Sequence, residues 1–248
     1  MPVISIVNQK GGTGKTTTTI NLGSALASLN KSVLVIDMDS QGNLGYSLGL
    51  EIDKTISDVF NSEASINEIV ESSEGMHVAP SDMRLVDIEL SLIDLDDRHT
   101  ILHRNLAKLS NSYDYILIDC PPSLSILAVN ALFASDLVII PMLMEVLSLQ
   151  GLDQIIHTIA KINKTYKRSL EVLGVLPVMV DKRRKLSEEV KDYINENYDL
   201  RIFESMIRNN VKASEAPSFG QSVIEYAPSS NSAKDYMQFA KEVVKLIK

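Results

Sequence analysis

Short apolar runs recur along the chain at Val3–Val7, Val33–Ile36, Tyr115–Ile118, Leu137–Ile140 and Leu173–Val178, each followed by ten or more residues with helical spacing. Runs that are apolar at every position read as strands buried between two layers of helix. The rhythm therefore predicts an α/β fold, a mostly parallel twisted β-sheet with helices on both faces. Working loops of such sheets lie beyond the carboxyl ends of the strands. Residues 51–111 read as mostly helical, with a strand at Met76–Ala79, and as a side elaboration between the second and third core strands. In the last segment, Ala233 to Lys248, Tyr236, Phe239, Ala240, Val243, Val244 and Ile247 fall at helical spacing opposite lysines. That stripe predicts a helix packed on the body of the protein, and only secondarily one lying on a membrane. Neither an internal repeat nor a linker interrupts the pattern, and 248 residues at 45% hydrophobic content suffice for one domain over residues 1–248.

The net charge of −8 argues against nucleic acid until its distribution is read. Residues 51–100 hold 13 Asp/Glu against 3 Lys/Arg, which leaves the other 198 residues at +2. Between Lys161 and Lys185 stand 8 Lys/Arg against 2 acids, including Lys182-Arg183-Arg184-Lys185, and the last helix adds Lys234, Lys241, Lys245 and Lys248. Such runs are solvated helix faces or, if clustered in space, a phosphate-binding surface. There is no eighteen-residue apolar run and no basic-then-apolar leader, so the expectation is a cytoplasmic protein without stable membrane association. The single cysteine, Cys120, leaves no internal disulfide and no cysteine-pair metal site, and reads as a small apolar strand-end residue. His99 and His103 are four apart, but no third ligand accompanies them, and a zinc site is discounted.

The first strand runs directly into Lys10-Gly11-Gly12-Thr13-Gly14-Lys15-Thr16-Thr17. Three glycines leave successive backbone N–H groups free to turn around an anion, and Lys15 adds a full charge at its edge. Thr16 offers a hydroxyl suited to Mg²⁺. The helix expected from Thr17 to Leu29 points its positive end at the same anion. Gln9 stands where the usual phosphate-binding loop has its first glycine, and a second lysine, Lys10, follows it.

Two further strand ends carry acids. After the second strand comes Asp37-Met38-Asp39-Ser40-Gln41-Gly42-Asn43, with Asp37 and Asp39 on one side of an extended chain. Beside a phosphate such acids orient a water or hold Mg²⁺ through water; elsewhere they cap loops. The third core strand ends in Ile116-Leu117-Ile118-Asp119-Cys120-Pro121-Pro122-Ser123, where Asp119 would approach Thr16 and Mg²⁺ and the prolines would stiffen a loop sensing the γ-phosphate.

The loop Lys-Gly-Gly-Xaa-Gly-Lys-Thr resembles the deviant Walker A loop of the ParA/MinD branch of P-loop ATPases. From Val3 to the last helix the order of motifs is similar to the stand-alone ParA/Soj partition ATPases. The stretch Ile207-Arg208-Asn209-Asn210-Val211-Lys212-Ala213-Ser214-Glu215-Ala216-Pro217-Ser218-Phe219-Gly220 looks like a signature of that family and favours ParA over MinD. The resemblance implies ATP hydrolysis with ATP and Mg²⁺, Lys10, Lys15 and Asp39 being the catalytic residues. Nucleotide contacts are implied for Lys10, Gly11, Gly12, Thr13, Gly14, Lys15, Thr16, Thr17, Asp39, Pro121, Ile207 and Asn209, and metal contacts for Thr16, Asp39 and Asp119. It further implies an ATP-sandwich homodimer in which Lys10 reaches the partner's phosphates. Non-specific DNA would be held through Arg208, Lys234, Lys241 and Lys245, giving nucleoid association. A ParB-like partner with a basic N-terminal peptide would stimulate hydrolysis, and the acidic segment 51–100 could help to receive it. Two departures stand out: Ile207 replaces a proline beside the adenine pocket, and Tyr226 to Ser232 lacks the arginines often found there. Three alternatives remain. One is a ParA-like positioner of a protein cargo. A MinD-like membrane ATPase would need a detachable basic tail, and an iron–sulfur carrier would need more cysteines.

Overall fold

The apolar runs form strands β1 (Val3–Ile6), β2 (Val33–Asp37), β3 (Glu71–Ser73), β4 (Met76–Ala79), β5 (Tyr115–Asp119), β6 (Leu137–Met142) and β7 (Glu171–Pro177) of a computed structural model that describes residues 1–180 and 186–247. The run Lys182-Arg183-Arg184-Lys185 and Lys248 lie outside the described residues. Helices are α1 (Lys15–Ser28), α2 (Asn43–Ser47), α3 (Ile56–Phe60), α4 (Leu85–Ser91), α5 (Ile101–Leu106), α6 (Ile126–Ala134), α7 (Val146–Tyr166), α8 (Leu186–Asn197), α9 (Val211–Glu215), α10 (Val223–Tyr226) and α11 (Asn231–Leu246).

The strands make one sheet in the order β3-β4-β2-β5-β1-β6-β7, parallel throughout except for the antiparallel edge strand β3. Every residue of β1, β2 and β5 is buried, as strands covered on both faces require. Alternation divides their side chains between two cores. Ile4, Ile6, Val33, Val35 and Leu117 pack with α1 and α11, through Leu22, Leu26, Tyr236 and Phe239. Leu34, Ile36, Ile116 and Ile118 face α6 and α7, through Leu127, Leu152, Ile155 and Ile159. The apolar stripe of the last helix is therefore spent on the interior: Tyr236, Phe239, Ala240 and Val243 are buried.

Residues 51–111 differ from expectation. Their helices are only five to seven residues long, and β4 pairs with β2 in parallel, so the segment widens the main sheet by two strands rather than standing beside it. Polar and turn-forming residues at Asn61–Glu63, Ser72–Gly75 and Asp94–Asp97 end each element early, so none reaches the length at which a helix stands alone. The helix after β2 is likewise shorter than expected, at five residues.

Candidate functional site

Three strands of the sheet's centre, β1, β2 and β5, end at one place, and their carboxyl-end loops meet there. The loop after β1 enters α1 through Gly14, whose φ of 72° is open to glycine at no steric cost. No side chain caps that helix start, so the first-turn N–H groups and the positive end of the helix dipole face an open cleft of about 600 Å³. All seven residues from Gly11 to Thr17 line it. Lys15 is nearly buried at the cleft floor, and the Thr13 hydroxyl ties the loop together by donating to the Lys10 carbonyl at 3.1 Å. Lys10 stands apart. It does not line the cleft, and its Nζ lies 3.6 Å from Glu145 with 41% of its side chain exposed.

Asp119 ends β5 directly opposite Asp37 of β2 in the sheet register. Its carboxylate accepts hydrogen bonds from the hydroxyls of Thr16 (2.6 Å) and Thr19 (3.3 Å). Burial, then the neighbouring Asp37, pushes the Asp119 carboxyl well above the usual range. Asp37 is buried outside the cleft wall and accepts the backbone N–H groups of Asp39 (2.9 Å) and Leu44 (3.3 Å). Burial is also the main reason its carboxyl is pushed up to about 7. Asp37 thus shapes the turn, while Asp39 lines the cleft together with Lys15 and Thr16. The Asp39 carboxylate accepts the Gln41 N–H at 3.1 Å, and its backbone carbonyl accepts the Ser81 hydroxyl at 2.5 Å.

Oxygen donors of this kind suit Mg²⁺: a hydroxyl on Thr16, a buried carboxylate on Asp119 and a second carboxylate on Asp39. Among the described residues no group of three or more His, Cys, Asp or Glu could hold a metal alone. An ion here would complete its shell from phosphate and water, which is how Mg²⁺ is ordinarily held.

Of the residues expected on the nucleotide's far side, none reaches the wall. Ile207 donates its N–H to the Pro177 carbonyl and is buried in the core under α11. Pro121 is buried and its neighbour Pro122 lines the cleft instead; Asn209 is exposed beside Val180. Met179, Ala213, Ala216, Pro217, Gln221 and Val223 form that wall. Asn21, missed in the sequence, holds it: Asn21 Oδ1 accepts the Val223 N–H at 2.7 Å and its Nδ2 donates to the Thr17 carbonyl at 2.7 Å. A buried polar residue one helical turn after the glycine loop was the available signal, as it was for Thr19.

The candidate DNA residues do not form one set. Lys234, Lys241 and Lys245 are exposed along one face of α11, opposite its buried stripe. Arg208 is committed elsewhere. Its Nε donates to Asp235 Oδ2 (2.9 Å), one Nη donates to Oδ1 (2.6 Å), and its backbone N–H reaches the same carboxylate (3.0 Å). A guanidinium held in this bidentate way is not a free phosphate ligand. Cys120 is buried with its thiol pushed up to about 12, chiefly by burial, so it carries no nucleophilic chemistry. His99 and His103 pack edge-on against Tyr166 and Phe133. No helix among the described residues is long and apolar enough to cross a membrane.

A family described as an AAA domain matches residues 1–172. The sporulation initiation inhibitor protein Soj of Bacillus subtilis is 39% identical over 246 residues, covering 97% of each chain. The chromosome partitioning protein ParA of Caulobacter vibrioides is 39% identical over 98% of this chain and 93% of its own. Among solved structures, cobyrinic acid a,c-diamide synthase of Mycobacterium smegmatis with bound ATP analogue and magnesium is 30% identical, with a TM-score of 0.89 over 100% of this chain and 96% of that one.

Proposed function

The chain belongs to the Soj/ParA family of P-loop ATPases, and from that membership we propose that it is a partition ATPase whose ATP-bound form is a sandwich dimer on DNA. Lys15 and the N–H groups of Gly11 to Thr17 hold the triphosphate, and Thr16 and Asp119 would hold Mg²⁺ beside it. When bound, the ion would supply charge neutralisation for the phosphates. Asp39 orients the attacking water, since phosphoryl transfer asks a protein for positioning and electrostatics more than for covalent chemistry.

The observation that carries the dimer is Lys10. Every other residue of its loop faces the cleft, whereas Lys10 is turned to a half-exposed carboxylate. An ion pair exposed on both sides contributes no more than about 1 kcal/mol, so Lys10 exchanges Glu145 for a second protomer's phosphates at little cost. Tyr46 at the cleft edge and Val146 and Leu147 beside Glu145 are apolar and exposed, which suits a surface that a second copy covers.

Two protomers would also place two lysine faces of α11 on one DNA, and doubling the contacts strengthens attachment steeply. A ParB-like partner then stimulates hydrolysis and release, and DNA is segregated as the cycle repeats. The buried stripe of α11 speaks against a membrane role for that helix. The test is sedimentation of Asp39→Ala saturated with Mg-ATP, with a DNA shift assay across salt concentrations. Dimers that bind DNA only with ATP are expected; single subunits under saturation would overturn the proposal.

A further inference from the structure

With the glycine loop taken up by phosphates, the half of the cleft bounded by Ala216, Pro217, Gln221 and Val223 is the part left for the nucleoside. That wall has little secondary structure of its own. It consists of a four-residue 3-10 turn (Ala216–Phe219), a short link and the four-residue α10. Elements this short do not hold their shape unaided, so the position of the wall is set by what it is tied to.

Its ties converge on residues 220 to 223. Gly220 lies against Gly49, just past the end of α2: a Cβ on Gly220 would stand 3.2 Å from the Gly49 Cα, and one on Gly49 would stand 3.3 Å from the Gly220 Cα. Backbone packs on backbone there, an approach that side chains would block. From α1, Asn21 takes the Val223 N–H, and the Ser222 hydroxyl donates to Ser24 Oγ at 3.0 Å. The remaining tie comes from the β3–β4 hairpin. Glu74 Oε1 accepts the Ser222 N–H at 2.7 Å, across 148 residues of sequence. Ser222 is itself buried, and its neighbours Gln221 and Val223 both line the cleft.

Glutamate is an unfavourable residue for that hairpin. Ser73 pairs with Met76, so Glu74 and Gly75 alone make the turn, and both have positive φ, 49° and 74°. A two-residue turn of this kind favours Asn, Asp or Gly at its first position, and a longer side chain is strained there. Neither carboxylate oxygen is bonded within the hairpin. Oε1 takes the Ser222 N–H, and Oε2 is buried with no hydrogen-bond partner among the described residues. What the longer side chain adds is reach to the wall.

We propose that Glu74 is a positioning residue of the nucleotide site: from the tip of the β3–β4 hairpin it holds the wall at Ser222 in the form that receives the nucleoside. The positioning role rests on the cleft taking a nucleotide; the hold on the wall does not. Two substitutions separate reach from turn preference. Glu74→Asn suits the turn but falls short of Ser222, whereas Glu74→Gln keeps the length and an acceptor oxygen. In the nucleotide-free protein, hydrogen exchange at residues 220–223 should quicken at least about tenfold in Glu74→Asn and stay within about twofold of wild type in Glu74→Gln. Titration with fluorescent ADP should show about tenfold weaker affinity in Glu74→Asn, as when the wall is ready in about one molecule in ten, and near wild-type affinity in Glu74→Gln. Affinity for inorganic tripolyphosphate with Mg²⁺, which needs only the glycine loop, should be the same in all three proteins. The melting temperature of Glu74→Asn should not fall, because the turn gains a preferred residue. Unchanged exchange in Glu74→Asn would overturn the hold on the wall. Faster exchange with unchanged ADP affinity would overturn the positioning role, and so would equal losses for ADP and tripolyphosphate, which would mean damage to the whole cleft. A wild type that binds neither ligand would overturn the nucleotide cleft and the positioning role together, a result that leaves the exchange measurement unaffected.

Discussion

Two pairs of carboxylates, one on the central strands β2 and β5 and one on the α3–α4 side of residues 51–111, are treated oppositely. Asp37 and Asp119 are neighbours across β2 and β5, both buried; burial, with like charge added, pushes Asp37 up to about 7 and Asp119 well above the carboxylate range. Asp58 and Asp82, on the acidic half, share the Arg84 guanidinium. Hydrogen bonds from Arg84 hold Asp58 down at about 2, and Asp82 is also lowered, although burial works the other way, by Arg84, Ser57 and Thr55. One half thus balances its charge internally and becomes a fixed joint between α3 and α4. The other leaves carboxyls whose ionisation Lys15 alone does not offset, with Asp119 beside Thr16 at the cleft, where a divalent ion would favour the charged form.

Breaking the cleft side should have the largest effect. Lys15→Ala is expected to lower ATP affinity at least about a hundredfold, because the cradle loses the charge that faces the phosphates. A fluorescent-nucleotide titration measures it, and wild-type affinity would dismantle the cleft assignment. Asp39→Ala should bind ATP normally and lose turnover by a similar factor of roughly a hundred. Normal phosphate release would remove Asp39 from the reaction.

The acidic half should answer in stability instead. Arg84→Ala leaves Asp58 without its partner; since the guanidinium is about half exposed, the expected loss is about 1–2 kcal/mol in urea unfolding rather than the larger cost of a fully buried pair. ATP affinity of the folded variant should not change. The two pairs also predict opposite pH slopes. Asp58 has a depressed folded pKa, so its contribution is present above the unfolded value near 3.8 and is lost as pH falls through about 2. The Arg84→Ala deficit should shrink over that window. Asp37 has a raised folded pKa, so its cost is absent below about 3.8, grows towards pH 7 and is constant above. Asp37→Asn gives up one backbone acceptor at every pH, yet its stability relative to wild type should improve as pH rises from about 4 to about 7. A difference flat across that interval would mean that Asp37 is ionised in the fold throughout.

How much of this was legible in the sequence follows the same division. The core strands, the glycine loop and the acids at the strand ends are local: an apolar run, a turn and one residue type in order. Their meeting at one cleft follows from parallel strands ending on one side. In residues 51–111 the strand Met76–Ala79 was legible, but the segment's place was not, because short helices and an edge hairpin share the composition of a longer helical insert, and only pairing with β2 distinguishes them. Ile207 and Asn209 lie off the cleft wall for a related reason. A motif gives the order of residues, but which side chain faces a cavity depends on hydrogen bonds such as Ile207 N–H to Pro177, made with a distant strand. Asn21 and Thr19 left the faint signal of polar residues one turn into α1, whereas Ser81 acts through Asp39, 42 residues away, and nothing near it in sequence announces that.

Arg208 is where that lesson gives its smallest and most discriminating prediction. By motif it is a DNA contact; in the fold it spends three donors on Asp235, which is itself nearly buried on α11. Lys234, Lys241 and Lys245, one stripe of the same helix, have solvent before them. Each phosphate contact contributes about 0.9 to the slope of log affinity against log salt. In an ATP-bound dimer, replacing the three lysines by alanine should flatten the slope by several units, whereas Arg208→Ala should change it by less than about one, with dimerisation intact. A slope in Arg208→Ala reduced as far as that of Lys241→Ala would mean that Asp235 releases the guanidinium when ATP and DNA bind, and the pair would then be a latch rather than a strut.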